Sequence, residues 1–434
     1  MRKISPFRYF RSEFGKNFLT LGSGTVLAQT IPFLFYPLIA RVFTPAEFGL
    51  LAILTTIISI MVEFSSGKYE LGILVAKTKQ DAANLVGVTL ILSFIVLTFV
   101  YLVLQLFFTE SLSQALHEPQ LKTWWFVCPL AAFSIIIYNT YNEWCLRNGY
   151  FKKLAFNKIT NSSVIALSKL FFGFVKTFSQ GLVVGDVAGR LISAGACVFR
   201  ALQKDTALFK AISFLQIKKL AKEFIEFPKF IMPGRLLNMV GQQLPVLFLG
   251  IYFNAVEVGY FSMTMLAFSA PISMVSFAIR DVFRQRANEE FKNTGTCRTI
   301  YMKVLKILFI IAIVGVVLLI LLLPFIFSIF LGEQWTTAAY YAQILTIPTL
   351  LSFVASPLFD VLIITNRLKL NFLWQVYYAF ITFISLLIGC VVYKNVIVAL
   401  YCFAIGRSSA YLLSVILSYY YAKKSLLKNQ NTGV

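Results

Sequence analysis

The sequence predicts an all-α integral membrane protein with about twelve transmembrane helices, arranged as two pseudo-symmetric six-helix bundles around a central cavity. Composition is the first reason. The 434 residues are 59% hydrophobic and only 13% charged, with a mean hydropathy of +0.79. Soluble chains are roughly half apolar and a quarter charged, so a soluble fold is excluded. The second reason is local: no charge occurs from Ala82 to Thr109, from Ile307 to Gly332, from Gln334 to Phe359 or from Leu370 to Tyr393. Each run reaches the ~20 residues that cross a bilayer as a helix. Backbone polar groups in lipid must be satisfied within helices or closed barrels, and these runs lack the period-two alternation of barrel strands. The third reason is an internal repeat, taken up below.

In chain order the spans predicted for the first bundle are 17–40, 46–66, 84–108, 122–144, 155–175 and 180–200. Those of the second are 230–252, 257–279, 302–331, 338–362, 370–392 and 396–422. Lys169, Lys176, Asp186 and Arg190 interrupt spans five and six, and Trp124, Trp125 and Trp335 fall at outer ends, where aromatic belts form. The domain plan is therefore an N-terminal bundle over 1–202, a cytoplasmic amphipathic linker over 203–229, and a C-terminal bundle with a short cytoplasmic tail over 230–434. In the linker, Phe214, Ile217, Ala221, Phe224 and Ile225 recur at helical spacing opposite Lys218, Lys219 and Lys222. Two readings fit that pattern: a helix in the cytoplasmic leaflet with its lysines near anionic headgroups, or a solvated linker helix.

The repeat supports the same division. Ala28-Gln29-Thr30-Ile31-Pro32-Phe33-Leu34-Phe35 matches Gly241-Gln242-Gln243-Leu244-Pro245-Val246-Leu247-Phe248, and Pro45-Ala46-Glu47-Phe48-Gly49 matches Ala255-Val256-Glu257-Val258-Gly259. Both halves start on the same side, so the duplication is parallel, about an axis along the membrane normal. Pro32, Pro37, Pro233 and Pro245, with Gly22, Gly24, Gly234 and Gly241 nearby, favour bending of spans one and seven.

The net charge of +21 does not indicate nucleic acid, because the 39 Lys and Arg sit in short segments between apolar runs, mostly on the amino-terminal side. By the positive-inside rule that side is cytoplasmic, with both termini on it. Arg2, Lys3, Arg8, Arg11 and Lys16 precede an apolar stretch without a convincing cleavage site, which is read as a retained first helix. Cys128, Cys145, Cys197, Cys297, Cys390 and Cys402 fall in spans or cytoplasmic loops and are read as packing residues, not disulfides. No Walker A, His-Glu-x-x-His or Cys-x-x-Cys motif occurs, and His117 is the single histidine. The expectation is a transporter, not an enzyme, without metal or cofactor.

Charge at membrane depth is costly and marks cavities or partners. The substrate-binding candidates are Arg407, Arg235, Arg190, Lys169 and Arg41, with Gln29 and Gln242 at matching repeat positions; the ion-coupling candidates are Asp360, Glu143 and Asp186. Local alternatives stand beside them: Asp186 and Arg190, four apart, neutralise each other, Lys169 and Arg235 snorkel, Asp360 caps or pairs, and the glutamines bond helix to helix. Cations outnumber anions, so a cavity lined by them attracts an anionic group, and arginine's planar fork suits phosphate.

Gly22-Ser23-Gly24-Thr25-Val26-Leu27-Ala28-Gln29, Pro37-Leu38-Ile39-Ala40-Arg41, Thr44-Pro45-Ala46-Glu47-Phe48-Gly49 and Gly67-Lys68-Tyr69-Glu70-Leu71 resemble the Wzx-type polysaccharide flippases of the multidrug, oligosaccharidyl-lipid and polysaccharide exporter superfamily. The resemblance implies a multi-pass protein of the bacterial inner membrane that moves an undecaprenyl-diphosphate-linked oligosaccharide, such as an O-antigen (lipopolysaccharide) repeat unit, from the cytoplasmic to the periplasmic leaflet. It implies a cationic central cavity, with the polyprenyl tail left among membrane lipids. It also implies a secondary mechanism driven by a proton or sodium gradient or the membrane potential, and a polysaccharide polymerase and chain-length regulator as partners. The rivals are a flippase for the peptidoglycan lipid precursor, an exporter of cationic drugs on the same fold, and an integral-membrane polysaccharide polymerase. Drug export calls for an acidic cavity, peptidoglycan-precursor flippases carry two additional C-terminal helices beyond a point such as Ala422, and a polymerase needs a long outer loop.

Overall fold

The computed structural model describes residues 13–107, 109–175, 180–210 and 212–423. Lys176, the basic residues before position 13 and the tail after 423 lie outside the described residues. Among those described, a long helix stands at every predicted span. In the first half these are α1 (Glu13–Val42), α2 (Pro45–Ser65), α3 (Lys79–Phe107), α4 (Val127–Arg147), α5 (Phe151–Val175) and α6 (Gly181–Lys210). The second half has α7 (Met232–Tyr252), α8 (Ala255–Thr294), α9 (Arg298–Ile326), α10 (Thr336–Leu358), α11 (Leu368–Leu387) and α12 (Val396–Lys423). Eight helices are long and apolar enough by composition to cross a membrane. The other long ones, α4, α5, α7 and α8, carry more charge or polar residues, yet each has at least 21 residues. At 1.5 Å per residue that is about 32 Å, the thickness of the hydrocarbon core.

The repeated motifs have a common local cause, since both start a helix after a tight connection. Thr44 caps α2: its hydroxyl accepts the Glu47 N–H at 3.4 Å, and Glu47 Oε2 accepts the Thr44 N–H at 2.8 Å. At the equivalent place Asn254 caps α8 by accepting the Glu257 N–H at 3.1 Å. The conserved spacing between the two halves is thus that of an N-cap and its N3 glutamate.

Two compact units divide between Val240 and Gly241, inside α7. In the first, α5 packs along both α1 and α6, while α4 packs on α2 and α6. Between lipid-solvated helices the attraction comes from close packing, so small residues mark the contacts. A Cβ at Gly24 would lie 2.4 Å from the Ala155 Cβ, so α1 and α5 touch backbone to side chain there. A cluster of Tyr69, Leu85, Trp144, Cys145 and Leu220 forms the core at the end where α3 begins. In the second unit α10 is central, contacted by α8, α9 and α12, and α11 packs on α12. Phe283, Tyr301, Leu350 and Leu358 belong to its core.

Three expectations need correction. Trp125 and Trp335 are buried within the protein, not placed in an interfacial belt; hydropathy locates a helix end but does not say which way its side chains turn. α6 continues through 202 to Lys210, so the polar stretch begins as helix. The linker helix Phe214–Glu223 belongs to the first unit: Leu220 is buried, and the Tyr69 hydroxyl donates to the Ala221 carbonyl at 2.8 Å. All six cysteines are free and five are buried, as packing residues are.

Candidate functional site

Buried charge is built into each unit. In the first, Gly185 and Gly189, four apart on α6, face α5 so closely that a Cβ on either would lie 2.5 or 2.6 Å from the Cα of Lys169 or Ile165. This close approach brings Asp186 against α5. Lys169 Nζ lies 2.9 Å from Asp186 Oδ1, and Arg190 Nε donates to Asp186 Oδ2 at 2.5 Å. The carboxylate is almost fully enclosed. Three of the sequence candidates therefore meet, with two cations on one anion and a surplus positive charge. The local neutralisation expected for Asp186 and Arg190 exists, but Lys169 makes it incomplete.

A second network sits where α2 ends. Gly67 and Lys68 both adopt left-handed backbone, φ 54° and 60°, which turns the chain sharply into the short helix Tyr69–Val75. The turn folds Lys68 inward, where Nζ lies 2.9 Å from Glu63 Oε2 and 3.3 Å from Glu70 Oε1. Burial pushes the ionisation of the Tyr69 phenol up, which suits its role as a neutral donor to the linker. Glu143 on α4 interacts electrostatically with Glu70 and with Arg235, and its Oε2 is buried without a hydrogen bond. Sequence reading missed Lys68, Glu63 and Glu70 as a charge network. Their signal was the Gly-Lys-Tyr-Glu motif, noticed only as a family resemblance. It also missed Lys158, whose Nζ donates to Thr25 Oγ1 at 3.0 Å between α5 and α1.

In the second unit, Gly406 brings α12 onto α11: a Cβ there would lie 2.0 Å from Ser385 Oγ. The next residue, Arg407, enters a group of rings. Its guanidinium carbon is 5.5 Å from the Phe403 centroid, 5.8 Å from Tyr411 and 6.0 Å from Tyr378. Trp374 stacks on Tyr378 at 5.5 Å, and its indole N–H donates to the Ala410 carbonyl at 2.8 Å. Arg407 Nη2 is 3.5 Å from the Tyr411 hydroxyl, its Nε is buried without a hydrogen bond, and the salt bridges among the described residues include none to it. Cation–π contacts satisfy part of the charge. They supply no counter-anion.

Asp360 Oδ2 lies 3.9 Å from Arg280 Nε, beyond hydrogen-bond distance, and Arg280 Nη2 donates to Ser356 Oγ at 2.5 Å. Arg280 escaped notice because the eighth span was drawn to 279, whereas α8 runs on to Thr294. Arg41 is exposed in the last turn of α1, Arg235 and Gln242 are exposed on α7, and Gln29 is half-buried on α1. Among the described residues no group of acids, histidines or cysteines could hold a metal ion.

These features define a multi-pass helical membrane protein, and its fold is that of solved transporters described as belonging to the MOP superfamily. The structure matches lipid II flippase MurJ in an inward closed conformation with a TM-score of 0.74 at 12% identity, over 94% of this chain and 88% of that one. It matches an inward-facing multidrug resistance MATE family transporter with a TM-score of 0.64 at 14% identity, over 95% and 96% of the two chains. A MOP superfamily transporter from Pyrococcus furiosus, described as having a binding pocket of reverse polarity, gives a TM-score of 0.60 at 14% identity over 98% and 100%. The chain belongs to the polysaccharide biosynthesis protein family, which matches residues 38–340. Among curated proteins no sequence matches it.

Proposed function

We propose that the protein is a flippase for an undecaprenyl-diphosphate-linked oligosaccharide, such as an O-antigen repeat unit. It would move this lipid from the cytoplasmic to the periplasmic leaflet of a bacterial inner membrane by alternating access, with both termini cytoplasmic. The observation that carries the reading is Arg407, a cation in a membrane-spanning helix with aromatic neighbours, an unbonded Nε and no carboxylate in salt-bridge range among the described residues. A charge held at membrane depth without a counter-ion is expensive unless a ligand or water supplies one. A diphosphate supplies it, with oxygens that match the guanidinium fork. The surplus cation of the Lys169–Asp186–Arg190 group adds a second positive centre. Family membership agrees with a glycan-linked cargo.

Coupling is assigned to a proton on Glu143. Asp186 is already held by two cations and Asp360 lies 3.9 Å from Arg280, whereas Glu143 faces a like charge in Glu70 as well as Arg235, and its Oε2 is buried without a hydrogen bond. Likeness to a lipid II flippase favours a second reading, in which the cargo is the peptidoglycan precursor; it too is a diphosphate-linked glycan. Reconstitution into vesicles tests both. A fluorescent diphosphate-linked oligosaccharide should cross between leaflets faster than in protein-free vesicles. No acceleration under imposed proton or sodium gradients refutes the proposal, and acceleration of the peptidoglycan precursor alone selects the second reading.

A further inference from the structure

The linker helix Phe214–Glu223 has three chemically distinct sides, and only one of them is explained by the docking described above. Its inner side is fixed to residues 67–87. Ser213 N–H donates to Asn84 Oδ1 at 3.0 Å, Ile217 lies within 3.2 Å of a Cβ built at Gly87, Phe224 lies 3.1 Å from one at Gly72, and Ala221 accepts from Tyr69. Gly87 is eight residues into α3, about 12 Å along its axis. It lies inside the uncharged run that starts at Ala82. The linker helix is therefore held beside the first turns of a membrane-spanning helix, at the level where the apolar segment begins.

At 100° per residue, the two flanks of the linker helix separate. Gln216, Lys219 and Glu223 lie on one flank and line a cleft of about 120 Å³ with Lys77 and Asp81, where Lys77 Nζ pairs with Glu223 Oε1 at 3.2 Å. That flank is polar and its charges are balanced. The other flank carries Phe214, Leu215, Lys218 and Lys222, all exposed. Phe214 and Leu215 are 78% and 77% exposed, and Ile225, just beyond the helix, is also exposed. An aromatic and a leucine beside lysines are unfavourable in water. They suit the boundary of acyl chains and anionic headgroups, where long lysine side chains reach phosphate while their stems stay apolar.

We infer that this flank is a seat for anionic phospholipid: Phe214 and Leu215 enter the acyl boundary, and Lys218 and Lys222 hold headgroup phosphates. The seat ties the position of the linker to the lipid surface independently of the cargo. It does not rest on the proposed flippase activity.

The test uses the full chain in vesicles of phosphatidylcholine with or without phosphatidylglycerol, carrying a nitroxide label at Leu215→Cys or, as the opposite flank, Gln216→Cys. Both positions are exposed, so the fold is not disturbed, and the signal of the label on the parent protein is subtracted. Position 215 should collide with oxygen in preference to a water-soluble nickel chelate, and position 216 should do the reverse. Phosphatidylglycerol should deepen position 215, and that increment should be lost in Lys218→Gln/Lys222→Gln. Equal nickel access at 215 and 216 overturns the membrane contact. A depth at 215 indifferent to lipid charge, or unchanged by removing the lysines, overturns the headgroup seat.

Discussion

Replacing Asp186 with Asn removes the anion held between Lys169 and Arg190, and leaves two cations enclosed between α5 and α6. At charge separations of about 4 Å and an effective dielectric of about 20, each attraction is worth roughly 4 kcal/mol before desolvation is subtracted. Breaking buried pairs by removing one partner costs about 3–5 kcal/mol. Asp186→Asn should therefore lower the temperature at which the detergent-solubilised protein loses its monodisperse elution peak, more than either Lys169→Met or Arg190→Met does. The triple variant Lys169→Met/Asp186→Leu/Arg190→Met should recover most of that loss, because apolar residues of similar volume replace a buried ionic group at little net cost. The triple variant also separates packing from function. It should remain folded yet transport an anionic cargo more slowly, because the surplus cation is gone. If Asp186→Asn elutes and melts like the parent, the ion group contributes nothing to the fold. If the folded triple variant transports at the parental rate, the group has no part in binding.

The same logic gives four shorter predictions. Gly189→Leu should separate α5 from α6, since even a Cβ would stand 2.6 Å from the Ile165 Cα; overpacking of this kind costs about 1–3 kcal/mol and should appear as a lowered melting temperature. Thr44→Ala should destabilise α2 by roughly 1 kcal/mol through loss of its cap, read by hydrogen exchange at the following amides. Arg407→Gln should keep the elution profile and reduce transport of a diphosphate-linked cargo by about tenfold or more, the loss of one charge-assisted contact. Cys297, buried just before α9, has its thiol pushed up to about 11, so almost none is thiolate at neutral pH. Because the thiolate is the reacting form, its alkylation in the folded protein should be very slow at pH 7.5 and rise about tenfold per pH unit up to its pKa. Rapid labelling at neutral pH refutes the burial.

Helix number and position were legible because hydropathy and charge report directly on partition into lipid. The uncharged runs at 82–109 and 370–393 end where α3 and the α11 region end, within a few residues. Even the less apolar α5, interrupted by Lys169, stands at its predicted span. Azimuth was not legible. Trp125 and Trp335 turn into the protein although their position along the chain suits an interface. Which charges meet depends on distances set by glycine contacts, and Gly185 and Gly189 place Asp186 on Lys169 in a way that spacing along α6 does not reveal. Lys68 illustrates the limit most plainly. A lysine beside a span end reads as a solvated loop cation, yet its left-handed backbone buries it between Glu63 and Glu70. The Gly-Lys-Tyr-Glu motif is thus a folding element that also anchors the linker through Tyr69.

The central claim is that uncompensated buried cations select an anionic lipid-linked glycan. It is tested most directly by measuring leaflet exchange of one fluorescent oligosaccharide on two carriers, a polyprenyl diphosphate and an uncharged polyprenyl ether, in vesicles holding the parent protein or Arg407→Gln. The account predicts fast exchange of the diphosphate alone, lost in the variant. Equal exchange of both carriers, or a diphosphate rate unchanged by Arg407→Gln, would contradict it.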